Sequence, residues 1–201
     1  ATRSDLAPFP QLQEAISADV CIIGAGYTGL SAALHLAQKG LRVVVLEAHR
    51  VGFGASGRNG GQVGSGQRQD QDWLENAMGR DAAHRLWDLA QDAKALVRDL
   101  ITTYAMPVSF HPGVAHACWS EAEVRHSHAY AAKLAKDYGY DQIEPLDRSA
   151  IRSLIGSQAY QGGDLDHGAG HIHPLNFAIG LAKAAKDAGA QIFELSEVLA
   201  L

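Results

Sequence analysis

The stretch "CIIGAGYTGLSAALHLAQKG", residues 21–40, decides how this chain is read. Three glycines, at the spacing Gly24-x-Gly26-x-x-Gly29, separate an apolar run from a helix-like one. Upstream, "DVCII" (19–23) reads as a short buried strand, with Cys21 as packing. Downstream, Leu30, Ala33, Leu34 and Ala37 recur at i, i+3, i+4, i+7, which is one apolar helical stripe between Thr28 and Lys39. Gly40 supplies the stop. "RVVVLE" (42–47) is an uninterrupted β-branched run, the pattern of a parallel strand covered on both faces. Strand, glycine turn, helix and strand make one βαβ unit.

Each glycine has a separate physical task. Gly24 permits the tight strand-to-helix turn, Gly26 removes a Cβ so that a pyrophosphate can approach the backbone, and Gly29 lets helix and strand pack closely. The unpaired N–H groups and positive end of the helix then face the phosphates. Glu47 stands at the end of the second strand, 18 residues after Gly29. A carboxylate there accepts from ribose hydroxyls and repels the 2′-phosphate of NADP. A chance glycine-rich turn would need neither the flanking strand and helix nor that acid. The unit reads as a dinucleotide site.

Between NAD and FAD, the next segment favours FAD. "VGFGASGRNGGQVGSGQ" (51–67) holds seven glycines with Arg58, Asn59 and Gln62 interleaved, so it reads as a shaped backbone rather than a flexible tether. A loop so rich in bare N–H groups suits a long cofactor. An NAD domain would instead continue with strand–helix repeats at short spacing.

From Asp70 to Tyr104 the pattern is helical, and Gly79 is expected to split it in two. "GVAHACWS" (113–120) alternates like a half-buried strand, and the helix after it ends at Gly139. A further helix runs from an Asp147 N-cap to Gly156. "AYQGGDLDHGAGHIH" reads as a short extended stretch with turns. Pro174 opens a helix that carries Leu175, Ala178, Ile179, Ala182 and Ala185 inward and ends at Gly189. "QIFEL" and "EVLAL" are expected to close the chain as strands.

The bulk numbers exclude several classes. A formal net charge of −5 offers no basic field for nucleic acid or anionic lipid. No apolar run approaches the roughly 18 residues of a membrane span. Cys21 and Cys118 are the only cysteines and lack CxxC spacing, which argues against a disulfide framework and suits a reducing compartment. With no signal-peptide pattern at its start, the chain reads as cytoplasmic. It opens at Ala1 and stops on the apolar "IFELSEVLAL", as a fragment of a longer protein would.

"ADVCIIGAGYTGLSAALHLAQKGLRVVVLEAHRVGFGASGRNGGQ" resembles the N-terminal segment of the FAD-dependent D-amino-acid-oxidase-like superfamily. "GASGRNGGQ" and "GGDLDHGAGHIHPLNFAIGLAKAAKDAGAQIFELSEV" are most similar to its gamma-glutamylputrescine oxidase branch. The resemblance spans roughly 18–66 and 160–198. It implies an α/β fold, a Rossmann-like FAD-binding βαβ with part of an inserted α+β substrate domain. The implied domains are an N-terminal extension (1–17), the FAD-binding βαβ and flavin loop (18–66), part of the substrate domain (67–170), and a return to the FAD domain (171–201). It further implies that Gly24, Gly26, Tyr27, Thr28 and Gly29 cradle the pyrophosphate, and that Glu47 and Ala48 meet the adenosine ribose. Ser56, Arg58, Asn59, Gly60, Gly61 and Gln62 would run toward the isoalloxazine, and the backbone at Val198 would touch adenine. The loop 51–66 holds no histidine or cysteine, so non-covalent FAD is expected. The implied chemistry is oxidation of a C–N bond in a small-molecule amine, with dioxygen as acceptor and hydrogen peroxide as product.

Other features carry less. His171-x-His173 lacks a matching ligand cluster, so no metal is expected; both residues stay as substrate-side candidates, against turn or capping roles. His126 and His128 read as surface. Arg58 either holds a charge near flavin or pins its loop. Trp73, Trp87 and Trp119 read as core. No catalytic base is nameable. The alternatives within enzymes are a glycine, sarcosine or D-amino-acid oxidase or a flavin dehydrogenase; outside them stands a non-catalytic dinucleotide-binding module.

Overall fold

The computed structural model describes residues 5–200. In chain order, the first elements are β1 (Val20–Ile23), α1 (Tyr27–Ala37), β2 (Val43–Leu46), a 3-10 turn (Ala55–Gly57) and β3 (Gln62–Val63). Then come α2 (Gln71–Met78), α3 (Arg80–Thr103), β4 (His111–Cys118), α4 (Glu121–Tyr138) and β5 (Ile143–Leu146). α5 (Arg148–Ile155), β6 (Gly162–His171), α6 (Pro174–Asp187) and β7 (Gln191–Phe193) complete the chain. The elements separate into two compact units. One comprises the described residues up to Gly61, Arg98–Ser109 and those from Ile172 onward; the other comprises Gln62–Val97 and Phe110–His171.

The first unit is a parallel three-stranded sheet in the order β1-β2-β7. β2 pairs Val20↔Val43 with β1 and Val44↔Gln191 with β7. As the middle strand it is buried on both faces, as its β-branched run requires. α1 and α6 pack against one another, and Ala33 and Ala37 of α1 and Ala178, Ala182 and Ala185 of α6 are all buried. Met106, from the segment beyond α3, sits against Gly180 of α6, where any side chain would collide with its sulfur.

β1 is less covered than its sequence suggests. Cys21 is exposed and Ile23 is 55% exposed: β1 is an edge strand, and Cys21 lines an open cavity with Leu12, Ile16 and Ala18. Cys21 is therefore not core packing. Residues 197–200 of "EVLAL" are not a strand, and Leu201 lies outside the described residues: Leu195 adopts a positive φ of 52° and turns the chain out of the ladder after Phe193.

The second unit is an antiparallel sheet in the order β3-β6-β4, with β5 also paired to β6. The stretch expected to be broken by turns is thus its central strand, ten residues long. Its glycines serve close approach rather than turning. A side chain at Gly163 would overlap the His116 carbonyl, and one at Gly168 the Tyr140 hydroxyl. β5 has no counterpart in the sequence reading, since Pro145 argues against a strand; the proline is tolerated because β5 pairs on one side only.

Trp87, Leu134 and Tyr140 form a buried cluster in the core of this unit, with Tyr130, Tyr138 and Ile143 packed around them. Trp73 and Trp119 are not core: they are 52% and 64% exposed. α2 turns Gln71 and Leu74 inward instead of Trp73, and Trp119 leaves the end of β4 to lie 4.6 Å from the Tyr160 ring. His126 is exposed, but His128 is not a free surface residue; its Nε2 lies 3.0 Å from the Gly163 carbonyl. The helix boundaries follow their caps. Asp70 accepts from Trp73 N–H, Asp147 accepts from Ala150 N–H, and Ser120 with Glu123 forms a complete capping box.

Candidate functional site

The site grows from the turn between β1 and α1. Gly24, at φ +96°, continues the β1 ladder through its N–H to the Leu46 carbonyl (2.8 Å) and then breaks it. Gly29 packs so closely on this turn that a Cβ there would overlap the Gly24 carbonyl oxygen. Gly26 is the N-cap of α1 and makes no side-chain cap, so the first-turn N–H groups depend on partners outside the helix. Tyr27 N–H donates to Ser56 Oγ (3.0 Å), which ties the glycine-rich loop 51–67 to the helix start. A Cβ on Gly26 would meet that same oxygen at 3.0 Å.

Glu47 reaches the turn from the end of β2. Its Oε2 accepts from Ala25 N–H (2.8 Å) and its Oε1 from His49 N–H (2.9 Å). An ionised carboxylate has about four acceptor positions, so two remain for ligand hydroxyls. Ala48 is half-buried beside it. Residues 195–198 run along the same edge: Leu195 N–H donates to the His49 carbonyl (3.1 Å) and Ser196 N–H to the Glu47 carbonyl (2.9 Å), with Val198 half-buried just beyond.

Asn59 staples the loop. Its Nδ2 donates to the carbonyls of Ala55 (2.9 Å) and Ser56 (3.2 Å), while its Oδ1 accepts from Gly61 N–H (2.7 Å). Gly61, at φ +72°, packs where a Cβ would overlap the Ile172 carbonyl, and its own carbonyl accepts from Ile172 N–H (2.9 Å). Tyr27 closes the group, its hydroxyl donating to the Pro174 carbonyl (3.0 Å). Burial pushes that phenol up from its ordinary value, partly offset by the Asn59 amide.

The structure thus brings Gly24, Gly26, Tyr27, Gly29, Glu47, Ala48, Ser56, Asn59, Gly61 and Val198 into one unit, with Thr28 and Gly60 exposed on it. Arg58 pins its loop: Nε donates to the Phe53 carbonyl (2.6 Å) and the guanidinium lies 4.5 Å over the Phe53 ring. Gln62 belongs to β3 in the other unit. His173 is the N-cap of α6, its Nδ1 accepting from Asn176 N–H (3.2 Å), and His171 ends β6. Among the described residues no group of three or more His, Cys, Asp or Glu could hold a metal.

Glu194 escaped the sequence reading. It is 1% exposed, accepts from Val51 N–H (2.8 Å) and Phe9 N–H (3.1 Å), and lies 2.7 Å from Arg50 Nε. It borders a cavity of about 270 Å³ that Arg50, Phe53, Arg58, Leu175 and Ile179 also line. In "QIFEL" the acid shares a face with the buried Ile192, but nothing local announced the Arg50, Val51 and Phe9 partners that allow a carboxylate there.

The glycine turn, the carboxylate at the end of β2 and the stapled loop define a dinucleotide-binding βαβ of the flavoprotein kind. The chain belongs to the DAO family of FAD-dependent oxidoreductases, whose model matches residues 19–201. It is 43% identical over 198 residues to gamma-glutamylputrescine oxidoreductase of Escherichia coli, covering 98% of this chain and 46% of that protein. To the probable oxidoreductase OrdL of Haemophilus influenzae it is 41% identical, again over 46% of the relative. The chain therefore spans about half the length of these relatives. Among solved structures, glycine oxidase from Geobacillus kaustophilus shares the fold, with a TM-score of 0.72 at 22% identity over 90% of this chain and 47% of that one. L-Amino acid deaminase from Proteus myxofaciens gives the same TM-score at 21% identity, over 96% and 42%. No helix among the described residues is long and apolar enough to cross a membrane.

Proposed function

We propose that this chain is the FAD-holding part of an oxidoreductase that oxidises a C–N bond in a carboxylate-bearing amine, with gamma-glutamylputrescine as the leading substrate. Dioxygen is the acceptor and hydrogen peroxide the product. The observation that carries this reading is the convergence of Glu47 on Ala25 N–H at 2.8 Å, beside the N-terminus of α1 at Gly26. A backbone anion site and a hydroxyl-accepting carboxylate meet where β1 and β2 end, which is the arrangement a pyrophosphate and its ribose need.

In this reading Gly24, Gly26, Tyr27, Thr28 and Gly29 hold the pyrophosphate, and Glu47 with Ala48 holds the ribose. Val198 meets adenine through its backbone. Ser56, Asn59, Gly60 and Gly61 shape the loop toward the isoalloxazine, Arg58 fixes that loop, and Gln62 follows it in the chain. Bound FAD supplies the hydride acceptor; the protein orients the substrate and keeps its nitrogen unprotonated for transfer. The product imine is then hydrolysed by water. Non-covalent attachment is favoured because residues 51–66 offer neither His nor Cys. The second unit is read as part of the substrate domain. With 46% of the Escherichia coli relative's length, the chain alone is expected to bind FAD weakly and turn nothing over.

The test uses an FAD-loaded protein carrying this chain and the remaining length of its relatives. Anaerobic gamma-glutamylputrescine should bleach the flavin, and admitting air should restore it with one peroxide per amine. A flavin that no amine bleaches would overturn the reading. Bleaching without reoxidation by air would convert it to a dehydrogenase.

A further inference from the structure

Four histidines lie on the strands of the second unit, and they divide into two kinds. His116 has an acid of its own, its Nδ1 3.2 Å from Asp164 Oδ2, and His167 has another, its Nε2 2.8 Å from Glu144 Oε2. Among the described residues His111 and His171 have none. They are register partners across β4 and β6, and their rings stack at 5.0 Å and 21°. Across the other side of β6, Gln62 of β3 is the register partner of His171. Directly opposed residues of an antiparallel ladder share a face, so Gln62, His171 and His111 form a row across three strands. All three are exposed. Among the described residues no side chain hydrogen-bonds to any of them.

The row is held in place from beneath. Gly170 approaches so near to β4 that a Cβ would overlap the Phe110 ring, which fixes the backbone leading into His111. The row stands at the end of the unit where the chain enters and leaves it: Gln62 follows Gly61 and His171 precedes Ile172.

We propose that Gln62, His171 and His111 bind a carboxylate of the substrate. In its neutral form each imidazole offers one N–H, and the Gln62 carboxamide offers two. A carboxylate has two oxygens and only acceptors, so it matches a row of donors that lacks any acid of its own. A metal is a poorer match, because the described residues give the row no third ligand of the His, Cys, Asp or Glu type. The proposal rests on the reading that the substrate carries a carboxylate remote from or beside its amine. In that frame these are specificity residues rather than catalytic ones, and His111 joins His171 as the new member.

Two measurements on the FAD-loaded, relative-length protein test it. Glutarate, a dicarboxylate without an amine, is titrated while the ring signals of the histidines are followed by NMR, assigned by their loss in H111Q and H171Q. The signals of His111 and His171 should move together and saturate, with those of His116 and His167 still. Stationary His111 and His171 signals overturn the proposal. In kinetics, the ratio of kcat/KM for gamma-glutamylputrescine over N-acetylputrescine, which lacks the carboxylate, should fall ten-fold or more in H111A and H171A. H111Q, which keeps an N–H donor, should recover part of it. An equal loss on both amines would make the row structural and overturn the proposal. Should neither amine reduce the flavin, the oxidase reading fails, and the glutarate titration still decides the row.

Discussion

Glu47 shows how much one side chain is asked to do. Both oxygens are engaged by backbone N–H groups, Ala25 at 2.8 Å and His49 at 2.9 Å, which leaves the carboxylate rigid with acceptor capacity to spare. Substituting Glu47→Gln keeps the size but turns one oxygen into a donor facing an N–H. FAD affinity by calorimetry should fall at least ten-fold, about 1.4 kcal/mol; an unchanged Kd would remove Glu47 from the ribose site. Asp19, just before β1, is a simpler case. The Arg42 guanidinium, 2.6 Å away, and the Arg42 N–H hold its carboxyl down to about 2. A depressed carboxylate contributes stability above its unfolded value, lost as pH falls through about 2. Both partners face solvent, so the contribution is small, and NMR titration is the direct check. Asp19 should titrate near 2 and move up toward its ordinary value in Arg42→Ala.

At the scale of elements, β6 and the end of β7 are where sequence and structure part. The βαβ of residues 20–46 was legible because every cue is local: an apolar run, three glycines at fixed offsets, a helical stripe and a β-branched run. The caps at Asp147 and Gly139 and the split at Gly79 were legible for the same reason. β6 was not, because its glycines answer to neighbours 28 to 60 residues distant, such as His116 and Phe110, which no local window contains. Gly163→Ala should therefore destabilise the protein by about 1–3 kcal/mol through overpacking against β4, read as a lower midpoint in denaturant. Neutrality there would mean that β4 and β6 are not so closely paired. Glu194 is the matching case in the first unit. Through Phe9 N–H and the Pro10 carbonyl, which accepts from Glu194 N–H, this residue anchors the N-terminal segment. Glu194→Ala should cost roughly 1–3 kcal/mol and open residues 9–16 to limited proteolysis, while a segment that stays resistant would contradict the anchoring.

For the whole molecule, the chain order matters most. β2 and β7 are adjacent parallel strands, yet the entire second unit lies between them in sequence, with α6 the last helix before β7. A parallel sheet interrupted in this way must be completed by chain that returns late, which is why Val198 and Glu194 fall in one unit with Gly24 and Glu47. The glycine spacing announces the first half of the candidate site. Its later pieces are expected only through family resemblance, since nothing local in "FELSEV" marks a backbone that closes on residues 47–51. The measurement that tests the central claim most directly is the visible spectrum of the relative-length protein, before and after acid precipitation. The account predicts a yellow protein whose flavin passes entirely into the supernatant as FAD. A protein that stays colourless under saturating FAD would contradict the site itself, and colour retained in the precipitate would contradict non-covalent binding.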